Sequence, residues 1–149
     1  MDTELLKAAA CGAVAKTDAK DKQLYLPLWM HAWDTAEIMV RLCNKWLPHS
    51  IWKRLCDEIG EEELVCVCRM LALTHDIGKI IALFQALVQS LLDGYELCSL
   101  PVPEHCIEGK LPHAMASQTI LEENDFPKSF AGLAGAHHGK PQSNTYDSK

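Results

Sequence analysis

Six side chains of metal-ligating type stand at four places in the chain: His31, the pair His75 and Asp76, His113, and the pair His137 and His138. Each falls at or near the end of a predicted helix, where a side chain can lean out of the core toward a shared cleft. Neighbours on a helix point about 100° apart, so an adjacent pair serves one site best at a helix terminus, or by facing two cations. Imidazole nitrogen suits Mn, Fe, Co, Ni or Zn better than magnesium, and a carboxylate can bridge two cations with its two oxygens. One or two divalent transition ions are the expected cofactors. Two such ions about 4 Å apart can activate water, orient a phosphodiester and stabilise a leaving oxygen without a Ser or Cys nucleophile.

Lys79 follows Asp76 by three residues, so its ammonium is expected to reach the same region and contact a phosphate oxygen. Trp29, Trp33, Trp46 and Trp52 could serve as stacking platforms for bases. At helical spacing they read as core, with Trp29 as the exception and a candidate substrate contact. His49 and His105 lack a matching partner at useful spacing and are expected to lie outside the site.

These residues must be held by helices. Apolar residues from Met30 to Trp46 recur at helical spacing and predict a first long helix with His31 in its opening turn. Ser50 predicts the cap of a short helix over 51–59, stopped by Gly60. Acids at 61–63 suit the start of a second long helix, over 61–77, whose nearly continuous apolar run predicts a buried central position. Gly78 is expected to end it in a left-handed conformation, with a further helix over 79–92. Residues 93–111 carry turn signals, and two more helices are predicted over 113–123 and 129–137. The segment from Lys16 to Trp29 reads as a loop. No strand alternation is evident, and the expected fold class is all-α.

The chain has 149 residues, 48% of them hydrophobic, and a formal charge of −6. That length suits one domain with a sizeable core. Affinity for nucleic acid comes largely from Lys and Arg neutralising phosphates, so the acidic balance argues against tight, independent duplex binding. It remains compatible with acids that hold cations and with a strand delivered by a partner. The seven cysteines have no CxxC spacing and read as buried free thiols of a reducing cytosol. Cys66 and Cys68, two apart on a helix, make a poor zinc pair. No apolar stretch reaches the roughly 20 residues of a membrane span, and the acidic N-terminus is a poor secretory signal. A cytoplasmic protein without membrane partners is expected.

Four strings in order, LPLWMHAWDTAE, LALTHDIGKIIALFQ, LPHAMASQTIL and AGAHHGKPQ, resemble the HD nuclease domain of the CRISPR-associated type I nuclease-helicase. The resemblance spans about 22–142 and implies an HD-domain helical bundle. It implies that His31, His75 and Asp76 hold one metal, while Asp76 bridges to a second held by His113, His137 and His138, with Lys79 beside the scissile phosphate. Asp76 and Lys79 are thus the implied catalytic pair. It also implies cleavage of the displaced single strand of DNA, a helicase domain or subunit that feeds it, and recruitment by the Cascade surveillance complex.

The family's pattern closes with another Asp well after HHG. Here Asp147 alone follows, so a C-terminally truncated domain with an incomplete first site is expected. No Walker-type GKT appears, so unwinding would reside elsewhere. Two other readings stand beside this one: an HD-superfamily phosphohydrolase acting on nucleotides or cyclic nucleotides, and a non-catalytic binding module.

Overall fold

The computed structural model describes residues 10–89, 91 and 112–139. Within them a small antiparallel hairpin, β1 (Val14–Thr17) and β2 (Tyr25–Pro27), leads into α1 (Leu28–Lys45). There follow α2 (His49–Ile59), α3 (Glu61–Thr74), a 3-10 turn at Ile77–Ile80, α4 (Ala82–Gln89), α5 (His113–Glu123) and α6 (Lys128–Gly135). The architecture is mostly α, as expected.

The hairpin corrects the loop expected over 16–29. Its strands are too short for an alternating pattern to register, and their pairing is finished by groups far away in the chain. Val14 stands opposite Pro27, which has no N–H to give. The Gln85 side chain supplies what is missing: its Oε1 accepts from Val14 N–H at 2.8 Å and its Nε2 donates to Val14 C=O at 3.0 Å. Between the strands, Asp18 Oδ1 accepts from the N–H groups of Lys20 and Asp21, folding the polar connection on itself.

The helix starts differ from the sequence reading in instructive ways. Pro27 and Pro48, not a Ser, precede the first turns of α1 and α2, so Ser50 lies inside α2. A proline there sets the extended conformation of the cap position, and the missing donor costs nothing. Gly60, at φ 88°, separates α2 from α3, and Glu61, Glu62 and Glu63 fill the first turn of α3 as the helix dipole favours.

After α3 the chain does not stop on a left-handed glycine. Gly78 sits within the 3-10 turn, and its role is close approach: a Cβ there would collide with the His113 carbonyl and the Ser117 nitrogen, and would stand 2.9 Å from the Ala116 methyl. Lys79 therefore belongs to this turn and not to the next helix, which begins at Ala82 after an extended Ile81. The predicted end of that helix at Leu92 and the turn-rich segment over 93–111, including His105, Cys98 and Cys106, lie outside the described residues. Helix α5 has the predicted bounds, and α6 starts and ends slightly earlier than expected.

Small residues dominate the interior. Ala13, Ala15 and Leu28 pack with Ile80 where the hairpin meets the 3-10 turn, and Val14 packs with Val88 and Phe84. Leu121, Ala131 and Ala134 pack with Ile77, Phe126 and Phe130 between α5 and α6. Helix α3 buries only a stripe, Leu64, Cys68, Ala72 and Thr74, while Val67 and Met70 face solvent, so it is not buried all round. The tryptophans are not core either: Trp33 and Trp46 are 61% and 83% exposed, and Trp52 is half-buried. Helical spacing shows that residues share a face; it does not show that the face is covered. The thiols also divide, with Cys68 buried, Cys43 and Cys56 half-buried, and Cys11 and Cys66 exposed. Among the described residues no single helix is long and apolar enough to cross a membrane.

Candidate metal centre

The Asp76 carboxylate is 5% exposed and stands where four segments meet. Helix α1 brings His31 from its first turn, the end of α3 brings His75, and the 3-10 turn brings Lys79. The first residue of α5 is His113, and the turn after α6 carries His137 and His138. Each of these positions is a helix terminus, where a side chain escapes the packing stripe of its own helix.

The distances are short. Asp76 Oδ2 accepts from His31 Nε2 at 2.9 Å and pairs with Lys79 Nζ at 2.6 Å, with His75 Nε2 at 3.3 Å. Asp76 Oδ1 lies 3.2 Å from His137 Nε2 and 3.4 Å from His113 Nε2, without a hydrogen bond of good geometry although it is buried. His113 Nε2 in turn lies 2.8 Å from His138 Nε2 and 3.3 Å from His137 Nε2.

Two of these imidazoles are aimed by the backbone. His75 Nδ1–H donates to the Ala72 carbonyl and His137 Nδ1–H to the Ala134 carbonyl, both at 2.7 Å. A ring nitrogen so close to a carbonyl must carry its proton, which leaves Nε2 with its lone pair toward Asp76 when the ring is neutral. Phe84 closes one side, its ring centroid 5.6 Å from that of His113 and 5.7 Å from the Lys79 ammonium.

The charges follow from these neighbours. Burial alone would raise the Asp76 carboxyl, but hydrogen bonds from His75 and Lys79, and their charge, outweigh it and hold the group far below the usual carboxylate range. Burial pulls His75 down, yet its bonds to Asp76 and the Ala72 carbonyl prevail and its pKa is raised. His113 and His137 go the other way: burial lowers both, the Asp76 charge offsets only part of this, and neighbouring cationic groups add to the lowering.

These donors fit a metal. An ionised, buried carboxylate with an oxygen lacking a hydrogen bond faces imidazole nitrogens that meet one another at 2.8–3.3 Å. Protons can be shared along only some of those contacts, whereas a cation with affinity for imidazole satisfies all of the lone pairs. Two ligand sets emerge, His31 with His75 and Asp76, and His113 with His137 and His138; within each set the ligand atoms lie within 4.8 Å of one another.

Residues 15–149 match the family model described as Cas3, HD domain. The chain belongs to that family. Among curated proteins, this Cas3 HD domain is 26% identical over 148 residues to a CRISPR-associated nuclease/helicase Cas3 of Streptococcus thermophilus, an alignment covering 85% of this chain and 15% of that protein. It therefore spans a small part of the relative's length. No solved structure matches.

All six residues singled out as ligands, and Lys79, are brought together. Trp29 lies in the first turn of α1, as His31 does. It precedes His31 by two residues, about 200° around α1, and is 55% exposed. His49 is exposed on α2, while His105 and Asp147 lie outside the described residues. Sequence reasoning missed Ser117, whose hydroxyl receives the Gly78 N–H at 2.8 Å, and missed why Gln85 follows Phe84, since its Nε2 also holds the Lys79 carbonyl at 2.6 Å. The signal for the first was the small-residue run Ala114, Ala116 and Ser117, which lets another backbone approach.

Proposed function

We propose that this Cas3 HD domain is a metal-dependent nuclease that hydrolyses phosphodiesters of single-stranded DNA in CRISPR type I interference. The observation that carries the reading is Asp76, a single ionised carboxylate set among five basic side chains from four segments. Transition ions held by the two sets, with Asp76 between them, would supply Lewis acidity toward the phosphoryl oxygens and lower the pKa of water. The rest is the work of the chain itself. The Ala72 and Ala134 carbonyls fix the His75 and His137 tautomers, and burial keeps His113 and His137 neutral near pH 7. Lys79, 15% exposed at its side chain, sits at the rim of Asp76 and orients a phosphate through its ammonium.

The formal charge of −6 supports a strand presented by other machinery over one captured by this domain. We infer a helicase, as a separate domain or subunit, and the Cascade complex as partners in the cytoplasm; the name of the Streptococcus relative, a nuclease/helicase, supports the first. A phosphohydrolase for nucleotides or cyclic nucleotides would need polar groups that read a base. The cavity of about 280 Å³ beside His75 and His137 is walled mainly by Met39, Leu71, Ala72, Leu133 and Ala134, which suits that reading poorly.

The test is nicking of circular single-stranded DNA with Mn, Co or Ni, set beside cyclic AMP and a small phosphodiester, for the wild type and for His75→Ala and Asp76→Ala. Loss of DNA cleavage by at least about 100-fold in both variants is expected. Equal cleavage by wild type and variants would remove the assignment, and turnover of cyclic AMP in preference to DNA would transfer it to the small-molecule class.

A further inference from the structure

Helix α1 lies along α3, and away from the metal centre the two helices meet through a pair of sulfurs. Cys43 Sγ stands 3.8 Å from Cys68 Sγ. Cys43 is about 18 Å along α1 from His31, and Cys68 about 10 Å along α3 from His75. A disulfide needs roughly 2.05 Å between sulfurs, so the two side chains must rotate toward each other to form one. Cys43 is half-buried and Cys68 buried, whereas Cys11 and Cys66 are exposed. Among the described cysteines, Cys43 and Cys68 are the pair in contact.

We propose that Cys43 and Cys68 form a reversible disulfide that clips α1 to α3 when the protein meets a hydroperoxide. The more accessible Cys43 sulfur attacks the peroxide, the O–O bond breaks, and Cys43 becomes a sulfenic acid as the peroxide is reduced to an alcohol or water. The Cys68 sulfur then attacks the Cys43 sulfur, the S–O bond breaks, and the hydroxyl departs as water with the Cys68 proton. Two thiols lose two electrons in all, and the peroxide gains them. Cys43 is the more accessible of the two and meets the peroxide first, while Cys68, buried against it, is placed to attack the Cys43 sulfur. The clip joins the helices that present His31 and the His75–Asp76 pair, while touching none of those ligands.

The experiment oxidises metal-loaded protein with a few equivalents of hydrogen peroxide, blocks remaining thiols with N-ethylmaleimide, and maps peptides without reduction. A linked Cys43–Cys68 peptide, reversed by dithiothreitol, is expected, with Tm raised by roughly 5 °C or more as the loop between them is closed. Cys43→Ser and Cys68→Ser should each abolish the linked peptide, and in Cys68→Ser the stranded sulfenic acid should be trapped by dimedone in greater yield. Alkylation of both cysteines after oxidation, dominant linkage of any other pair, or an unchanged or lowered Tm would overturn the proposal. The wild-type map and Cys43→Ser, at a half-buried position, decide the matter even if Cys68→Ser does not fold.

Discussion

The backbone N–H of Gly78 donates to the Ser117 hydroxyl at 2.8 Å, and at that point the 3-10 turn and helix α5 touch backbone to backbone. The contact sets the distance between Asp76 and Lys79 on one side and His113 on the other. Gly78→Ala is expected to force the turn away from α5, because the new methyl meets the His113 carbonyl and the Ser117 nitrogen, neither of which is a flexible chain end. Overpacking of this kind costs roughly 1–3 kcal/mol. Urea denaturation should show that loss, and calorimetric titration with Ni or Mn should show weaker uptake. Unchanged stability and affinity would mean that the turn is not held by this contact.

A second expectation concerns Gln85, buried to 1% exposure. Its amide bonds both backbone groups of Val14 and the Lys79 carbonyl. Gln85→Leu fills similar space but leaves those three groups without that partner, at a cost of at least about 2 kcal/mol. Gln85→Glu should cost at least as much, since a carboxylate still accepts from Val14 N–H but sets a buried negative oxygen against the Val14 and Lys79 carbonyls, to which it has no proton to give. Thermal denaturation of the metal-free protein ranks the three, and equal Tm for Gln85→Leu and wild type would show the hairpin to be fastened by other means.

The residues of the centre were legible because their types are costly anywhere else: imidazoles at four helix ends and one Asp beside a His have few structural reasons to recur in that order. Helix α5 was legible to the residue. What was hidden depended on partners far apart in the chain. β1 and β2 complete their pairing through Gln85, so no local pattern announces them, and Gly78 looks like a stop signal until α5 is laid against it. The tryptophans of α1 obey helical periodicity, yet no described element covers Trp33 or Trp46. Periodicity records which residues share a side, and only tertiary packing records what lies over it.

The opposite shifts of the histidines predict a stability maximum near neutrality in metal-free protein. His113 and His137 have lowered pKa values, so their contribution is complete above the unfolded value of about 6.5 and is lost as pH falls through the folded values. His75 is raised, so its contribution is complete below about 6.5 and is lost as pH rises through its folded value. Asp76, strongly lowered, contributes throughout this range and is lost only in strong acid. Calorimetry of chelator-treated protein from pH 4.5 to 8.5 should show Tm falling on both sides, and His75→Gln should remove the alkaline fall. A Tm that changes in one direction across the whole range would refute the arrangement of charges described for the site.

Substitution of Lys79 can separate holding a cation from handling a phosphate. Its ammonium competes for the same Asp76 oxygen, Oδ2, that serves the His31 and His75 set, at 2.6 Å. Lys79→Met removes the charge and keeps most of the apolar stem beside Phe84, so the carboxylate should bind a transition ion at least as tightly as before. A phosphate at the rim then lacks its cationic partner, and cleavage of single-stranded DNA should drop by roughly 100- to 1000-fold, the span expected for one preorganised donor. Lys79→Arg should recover part of the rate, because the guanidinium keeps the charge but places it differently. Metal content by mass spectrometry and nicking rates on the same preparations make the comparison. If Lys79→Met loses metal in proportion to activity, the lysine belongs to the scaffold of Asp76; if metal is kept and the rate is unchanged, it has no part in orienting the phosphate.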